Sequence, residues 1–381
     1  MNHPDFAAEN PEISVQRQIM PWGTFFDKLA AALVAGSGGP DVFVLWHSVM
    51  PQFARAGHLY PATQDLFELG MVPEEDYLPQ LIEAITVDGT KWTMPLDNYG
   101  VGVYLNLDLL EQADVDPDSP PQDQTEWLDV CRALTWNKNG NHPGDSGFDP
   151  DNIEVWGYSI GWPRATIQPS LYQWGADIIS RENPPEVLIN SEGAIAATQF
   201  FVDLVYEHQV APPPAGYDQS EAFANSQLAM FANGSWMYNW FPTSAPEIRH
   251  GFWPYPRLGP ERGSTIMWSH TFAVAKDVDA EKRDAALRLL QYLSEHSDTW
   301  TEQAGMPAAR LSRREGLMDT VWTLPTFDKQ FKEEGVMEFA SDRFTEIMGS
   351  VEPEWSAALN QDKTVDVALN DAAERIEKIL S

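Results

Sequence analysis

The sequence predicts an α/β protein of more than one domain. Three observations carry this. Strand-like and helix-like segments alternate along the chain. The segment Asp41–Trp46 holds a short continuous apolar run, Val42–Trp46, as expected of a buried parallel strand. The 381 residues carry an ordinary globular balance of 43% hydrophobic and 21% charged side chains, enough for two or three cores and too apolar for wholesale disorder. No period of about 20–50 residues repeats, which excludes a solenoid or propeller.

The elements follow in order. Ile13–Met20 alternates like a strand, and Phe25–Ala35 reads as a helix stopped at Gly36. After the Asp41–Trp46 strand, Ser48–Ala56 is helical and Gly57 ends it. Asp88-Gly89 is a hairpin turn between Ala84–Val87 and Lys91–Met94. Val101–Leu105 is a strand, and Leu107–Gln112 a helix entered from Asn106. Thr125–Leu134 is a helix with Thr125 as its cap, and the Pro-, Gly- and Asp-rich stretch 137–152 is a surface loop. Glu154–Ile160 is a strand. Gly193–Glu207 is an amphipathic helix burying Ile195, Phe200, Phe201, Leu204 and Val205. Ser220–Asn225 is a short helix; Leu228–Phe231, Phe252–Arg257 and Met267–Ala275 are strands; Ala280–Glu295 and Val365–Ile379 are helices.

Charge and composition narrow the function. The 24 Lys+Arg against 57 Asp+Glu leave a net charge of −33, which repels nucleic acid and anionic membrane. The acids are spread along the chain, which fits a solubilising or salt-adapted surface better than one cationic ligand. No apolar run approaches the roughly 20 residues that span a bilayer. Cys131 is the single cysteine, so there is no internal disulfide and no Cys metal cluster; the 8 His show no HExxH pair, and no metal or cofactor is expected. The 15 Trp stand out, many beside Gly, Pro, Asn or Ser, where an indole is partly available to a ligand.

An ordered set of segments resembles a known family over nearly the whole chain. Phe6-Ala-Ala-Glu-Asn-Pro11-Glu-Ile-Ser-Val15 is similar to its opening helix and second strand. Phe26-Asp-Lys28-Leu29 with Gly39-Pro40-Asp41-Val42 resembles K-L…G-x-x-P-D-V, and Gly57-His-Leu59-Tyr-Pro61 resembles G-x-L-x-P. Asp88-Gly89-Thr-Lys-Trp-Thr-Met-Pro95 and Tyr104-Leu-Asn106-Leu-Asp108-Leu-Leu110 resemble D-G-K-x-Y-x-x-P and Y-Y-N-K-D-L. Thr125-Glu126-Trp127 resembles part of T-W-D-E-F. Phe223-Ala-Asn-Ser-Gln-Leu-Ala229-Met230-Phe-Ala-Asn-Gly234-Ser-Trp236 is close to F-x-x-G-x-A-A-M-x-x-x-G-x-W, and Gly305-Met-Pro307-Ala308-Ala-Arg310 to G-x-L-P-A-R. The family is that of the extracellular solute-binding proteins of ABC importers, in the sugar-binding, maltose-binding-protein-like group. Asn225-Ser226 and Gly175-Ala176 stand where the family often has glycines.

The resemblance implies a type II periplasmic-binding-protein-like fold. Its two discontinuous α/β lobes are 1–104 with 267–304 and 105–266 with 305–381, joined by crossing strands near Gly100–Asn106, Thr265–Thr271 and Ala304–Ala308. It also implies a carbohydrate ligand in the cleft, closure of the lobes on that ligand, an ABC permease as partner, and a monomer acting outside the cytoplasm, often as a lipoprotein. The family's signal peptide and first central strand are expected to be missing here, because His3, Pro4 and Asp5 lie where an apolar leader would be; a start codon set too late or a shortened chain would account for it.

Ligands of open α/β sheets bind beyond the carboxyl ends of strands. Those positions hold Trp22, Trp46 with His47, Asp97 with Asn98 and Tyr99, Trp162 with Arg164, Asn233-Gly234 with Trp236 and Tyr238, and Trp268 with Ser269 and His270. A sugar ring offers an apolar C–H face to indoles and a hydroxyl rim to Asp, Asn and Arg. The ligand-binding set is therefore Trp236, Trp46, Asp97, Trp268, Trp22, Asn98, Trp162, Tyr238 and Arg310. In the family the Trp of G-x-W packs against sugar, which the resemblance carries to Trp236. Each has a structural alternative: the Trp side chains as core, Asp97 as a turn residue, Arg310 paired with a carboxylate, His47 and His270 as satisfied structural histidines. No catalytic residue is expected. A polyol or glycerol-phosphate solute is the alternative ligand. In a different class, Gly157-Tyr-Ser159-Ile-Gly161 fits G-x-S-x-G, with Asp203 or Asp218 and His250 or His270 as partners for a serine hydrolase, although Trp162-Pro163 delays the helix that pattern requires. Paired acids of a glycosidase are cheap to find among 57. Gly36-Ser-Gly-Gly39 follows a helix and precedes a strand, the reverse of a phosphate loop.

Overall fold

The computed structural model describes residues 4–35, 39–182, 184–261 and 263–381. The expected helix stop at Gly36, and most of the Gly36–Gly39 run, lie outside them. The chain forms two compact units. The first is Met1–Asn98, Trp268–Val321 and Met337–Phe344; the second is Tyr99–Met267, Trp322–Val336 and Thr345–Ser381. Among the described residues no helix is long and apolar enough to cross a membrane.

The first unit is built on a four-stranded sheet around His270–Ala275, which pairs antiparallel with Val42–Trp46, Leu59–Tyr60 and Met94–Pro95. Val42–Trp46 was expected to be a fully buried parallel strand. It instead pairs antiparallel, Val42 opposite Val274 and Trp46 opposite His270. Phe43 and Leu45 are buried while Val42, Val44 and Trp46 are half-buried, the alternation of a strand with one open face. The Asp88-Gly89 hairpin forms as expected between Thr86–Val87 and Thr90–Lys91, with φ of +52° and +78° at its two central residues, the conformation Asp-Gly favours. Ile13–Met20 is not a strand. It is irregular and largely exposed, with Val15 54% and Ile19 79% accessible. Alternation makes a strand only where a neighbour takes the backbone hydrogen bonds, and no described strand pairs with this segment.

The second unit is built on a seven-stranded sheet ordered Gly335–Met337, Thr265–Trp268, Tyr99–Asn106, Leu228–Gly234, Ile153–Ser159, Trp136–Asn137, with His250–Pro254 also on Tyr99–Asn106. All eight residues of Tyr99–Asn106 are buried, which makes this strand the sheet's centre. Leu228–Gly234 lies antiparallel to it and parallel to Ile153–Ser159. The expected strand Met267–Ala275 is two strands, broken at Ser269 because that residue's N–H donates to the His47 ring at 3.2 Å. Helix Leu107–Gln112 is entered as expected, with Asn106 Oδ1 accepting from Asp108 N and Leu109 N. The next helix is Gln124–Ala133, and its cap is Asp123, not Thr125: the Asp123 carboxylate accepts from Thr125 N at 2.9 Å and Glu126 N at 3.0 Å. In Glu192–Tyr206, Phe200, Phe201, Leu204 and Val205 are buried as expected; Ile195 is half-buried, because Ala194 and Ala197 take the centre of that face.

The expected lobe boundaries gave 305–381 to the C-terminal lobe. In the structure 305–321 and 337–344 cluster with the first unit. The cause is a set of backbone bonds the sequence does not announce. Asn98 N donates to Pro307 O at 2.8 Å, Ala309 N to Leu96 O at 3.0 Å and Ser341 N to Ser48 O at 3.1 Å, and Asp97 bridges Ala308.

Candidate functional site

In the second unit the strand Leu228–Gly234 runs three residues past its expected end and delivers Trp236 directly. Glycine at 234 lets the Trp236 ring lie where it does, since a Cβ there would come 2.0 Å from that ring and force it to shift. Trp236 is half-buried and meets Tyr99 edge-on, centroids 5.9 Å apart at 75°. The sheet register brings them together by pairing Val101 with Gly234. Trp236 also meets Trp162, at 6.2 Å and 58°. Trp162 immediately precedes helix Pro163–Leu171 and is 39% exposed. The Arg164 guanidinium lies 5.6 Å from its ring, within cation–π range, and its Nε1–H points to Glu352 Oε2 at 3.5 Å. Tyr99, Trp236 and Trp162 thus form a continuous aromatic array with an exposed end, bordered by a cation and a carboxylate. Such an array can stack on C–H faces while its border takes hydroxyls.

The other sequence candidates of this unit go elsewhere. Tyr238 stacks on Trp322 at 6.3 Å, in a group with Phe241, His250 and Phe252. Asn233 is half-buried, its Oδ1 accepting from the adjacent Gly234 N at 2.8 Å.

In the first unit Asp97 is wholly buried and already engaged. Oδ1 accepts His270 N at 2.8 Å; Oδ2 accepts His270 Nδ1 at 2.8 Å and Trp300 Nε1 at 2.9 Å. Its expected role as an open hydroxyl acceptor is therefore corrected. It orients an imidazole and an indole, and it fixes the proton of His270 on Nδ1. Trp46 is half-buried against Phe26 at 4.7 Å. Trp268 is only 3% exposed, so it takes its packing alternative. Asn98 is buried and anchored through its N–H to Pro307. Trp22 opens helix Trp22–Ala35; its side chain is outside the described residues. His47 is structural: Nδ1 accepts Ser269 N, so Nε2–H donates to Glu338 O at 3.2 Å.

Arg310 also takes its alternative. It is 8% exposed and donates Nε to Asp76 Oδ2 at 2.8 Å. Burial pushes the Asp76 carboxyl up, but hydrogen bonds from Ser312 and Arg310, with the guanidinium charge, outweigh it and hold the group below its ordinary value. The hydrolase reading loses its geometry. Ser159 is the last residue of a strand, opposite Phe231, and is buried, whereas a nucleophile elbow exposes its serine on the turn. Of its two histidine candidates, His250 is stacked on Phe241 at 4.5 Å and His270 is bonded to Asp97.

Sequence reasoning missed Glu352 and Trp300. Glu352 lies 190 residues from Trp162 and Trp300 lies 203 from Asp97, each on a helix with no local motif. Tyr99 stands at a strand end but is not in the expected binding set; the pairing of Val101 with Gly234, which brings it to Trp236, is a long-range register that no local motif announces.

Comparison with known proteins bears on the fold and the family. A protein of Brucella abortus described as a binding protein is 21% identical over 294 residues, 76% of this chain and 66% of that one. The maltotriose-binding protein of Pyrococcus abyssi is 22% identical over 272 residues, 67% of this chain and 52% of that one. The chain thus spans under two thirds of the length of these curated relatives. An ABC substrate-binding protein from Listeria monocytogenes, solved in complex with cycloalternan, superposes with a TM-score of 0.81 at 23% identity, covering 99% of this chain and 94% of that one. The fold is accordingly the mixed α/β, two-lobe type II fold. Residues 3–327 match the family described as bacterial extracellular solute-binding protein, and the chain belongs to that family.

Proposed function

We propose that this protein is the substrate-binding component of an ABC importer, acting outside the cytoplasm, which captures a neutral mono- or oligosaccharide and passes it to a membrane permease without breaking a bond. The observation that carries the reading is the Tyr99–Trp236–Trp162 array with its exposed indole. An exposed indole continuous with two further rings offers an apolar face to a ligand, and sugars are the polar solutes whose C–H faces suit indoles. The relative named for maltotriose and the neighbour holding cycloalternan support the same ligand class. A glycerol-phosphate solute is less well served, since Arg310 is committed to Asp76. The test is a thermal-shift panel of maltose, maltotriose, arabino-oligosaccharides, glycerol and glycerol phosphate. A ligand that binds the native state raises its melting temperature. A rise with a saccharide is expected; a rise with glycerol phosphate alone overturns the reading.

A further inference from the structure

We propose that Glu352 is a positioning residue that fixes the plane of the Trp162 indole as a preformed stacking platform. The inference rests on the saccharide reading above, and it concerns how the ring is held. An indole 39% exposed has water for its N–H, so its bond to Glu352 Oε2 is not there to rescue a buried donor. What that bond adds is direction. The remaining freedoms of Trp162 are each restrained by a different neighbour. Pro163 follows it, and a residue before proline is held in extended backbone; Trp162 sits at φ −82°, ψ 115°. Arg164 lies over its ring and Trp236 flanks it. At the polar edge stands Glu352, half-buried on helix Phe344–Leu359. A carboxylate suits the task because it only accepts, so its bond to the indole can run in one sense alone, from Nε1–H to Oε2. Holding the ring before the ligand arrives removes an ordering cost that a free side chain would bring to binding.

The test needs a readout independent of ligand. Two indoles 6.2 Å apart couple excitonically, so Trp162→Phe identifies the share of the ultraviolet circular-dichroism couplet that belongs to the Trp162–Trp236 pair. We expect Glu352→Ala to lose that share in the unliganded protein and to weaken maltotriose binding about fivefold by titration calorimetry. Glu352→Gln, which keeps an acceptor oxygen, recovers most of both losses. The double variant Glu352→Ala/Trp162→Ala binds no more weakly than Trp162→Ala, because the carboxylate acts through the ring. The inference is overturned if Glu352→Ala keeps the couplet, if Glu352→Gln behaves like Glu352→Ala, or if the two affinity losses multiply. If the wild-type protein binds no saccharide of the panel, the functional reading fails while the couplet still decides the role of Glu352.

Discussion

The two units handle their aromatic candidates in opposite ways. In the second, Tyr99, Trp236 and Trp162 touch one another in sequence and end in open solvent. In the first, Trp268 is buried, and Trp300 and His270 are tethered to one buried carboxylate, Asp97. Both Trp300 and Trp162 donate to a carboxylate, but the Asp97 carboxylate is buried within its unit, whereas the bond to half-buried Glu352 leaves the Trp162 ring 39% exposed. The same residue type therefore does different work, and substitutions should separate stability from affinity between the units.

The largest expected effect is Trp268→Ala. Emptying a buried indole site should cost about 3–5 kcal/mol in urea-unfolding stability. A loss below about 1 kcal/mol would mean that Trp268 is not core and would erase the contrast between the units. Next is Asp97→Ala, which strands two N–H groups of His270 and one of Trp300. About 3 kcal/mol of stability should go. If denaturation is unchanged and only affinity falls, Asp97 is an open ligand group after all. Trp236→Ala should weaken saccharide affinity by about ten- to a hundredfold, an equivalent of about 1–3 kcal/mol. Gly234→Ala should reproduce much of that loss by pushing the indole aside. Unchanged affinity in both would move the site away from the array.

The smallest effect is on pH. Asp76 has a carboxyl pKa lowered in the fold, so it contributes stability above the ordinary carboxylate value of 3.8, and that share disappears as pH falls through the lower folded value. Asp76→Asn should therefore flatten the acid limb of a stability-versus-pH curve, while leaving the array's aromatic signals alone. A wild-type curve with no acid limb to flatten would show that the Arg310–Asp76 pair is not a stability element of the first unit.

Legibility in the sequence followed range. Helices Leu107–Gln112 and Ala280–Glu295 were readable to the residue because caps and stops lie within a few positions of what they control. Thr125 was taken for a cap because Asp123 stands two residues away with the same chemistry, and only backbone geometry chooses between them. Trp236 and Trp162 are both singled out by their place after strand ends, and the structure brings these two rings together. Tyr238 was found by the same rule and joined another cluster, since a strand end tells where a residue leaves the sheet and not which way its ring turns.

Local periodicity, turn chemistry and the succession of motifs determined the α/β class, the family and the neighbourhood of the aromatic array. Each depends on residues a few positions apart, where the covalent chain itself supplies the proximity. The partners of Asp97, Arg310 and the Trp162 N–H were decided only by tertiary structure. Asp97 with Trp300, Arg310 with Asp76 and Trp162 with Glu352 are separated by 203, 234 and 190 residues. A chain holding 57 carboxylates offers each donor many acceptors of equal chemistry, and only the packed fold selects which one arrives within bonding distance.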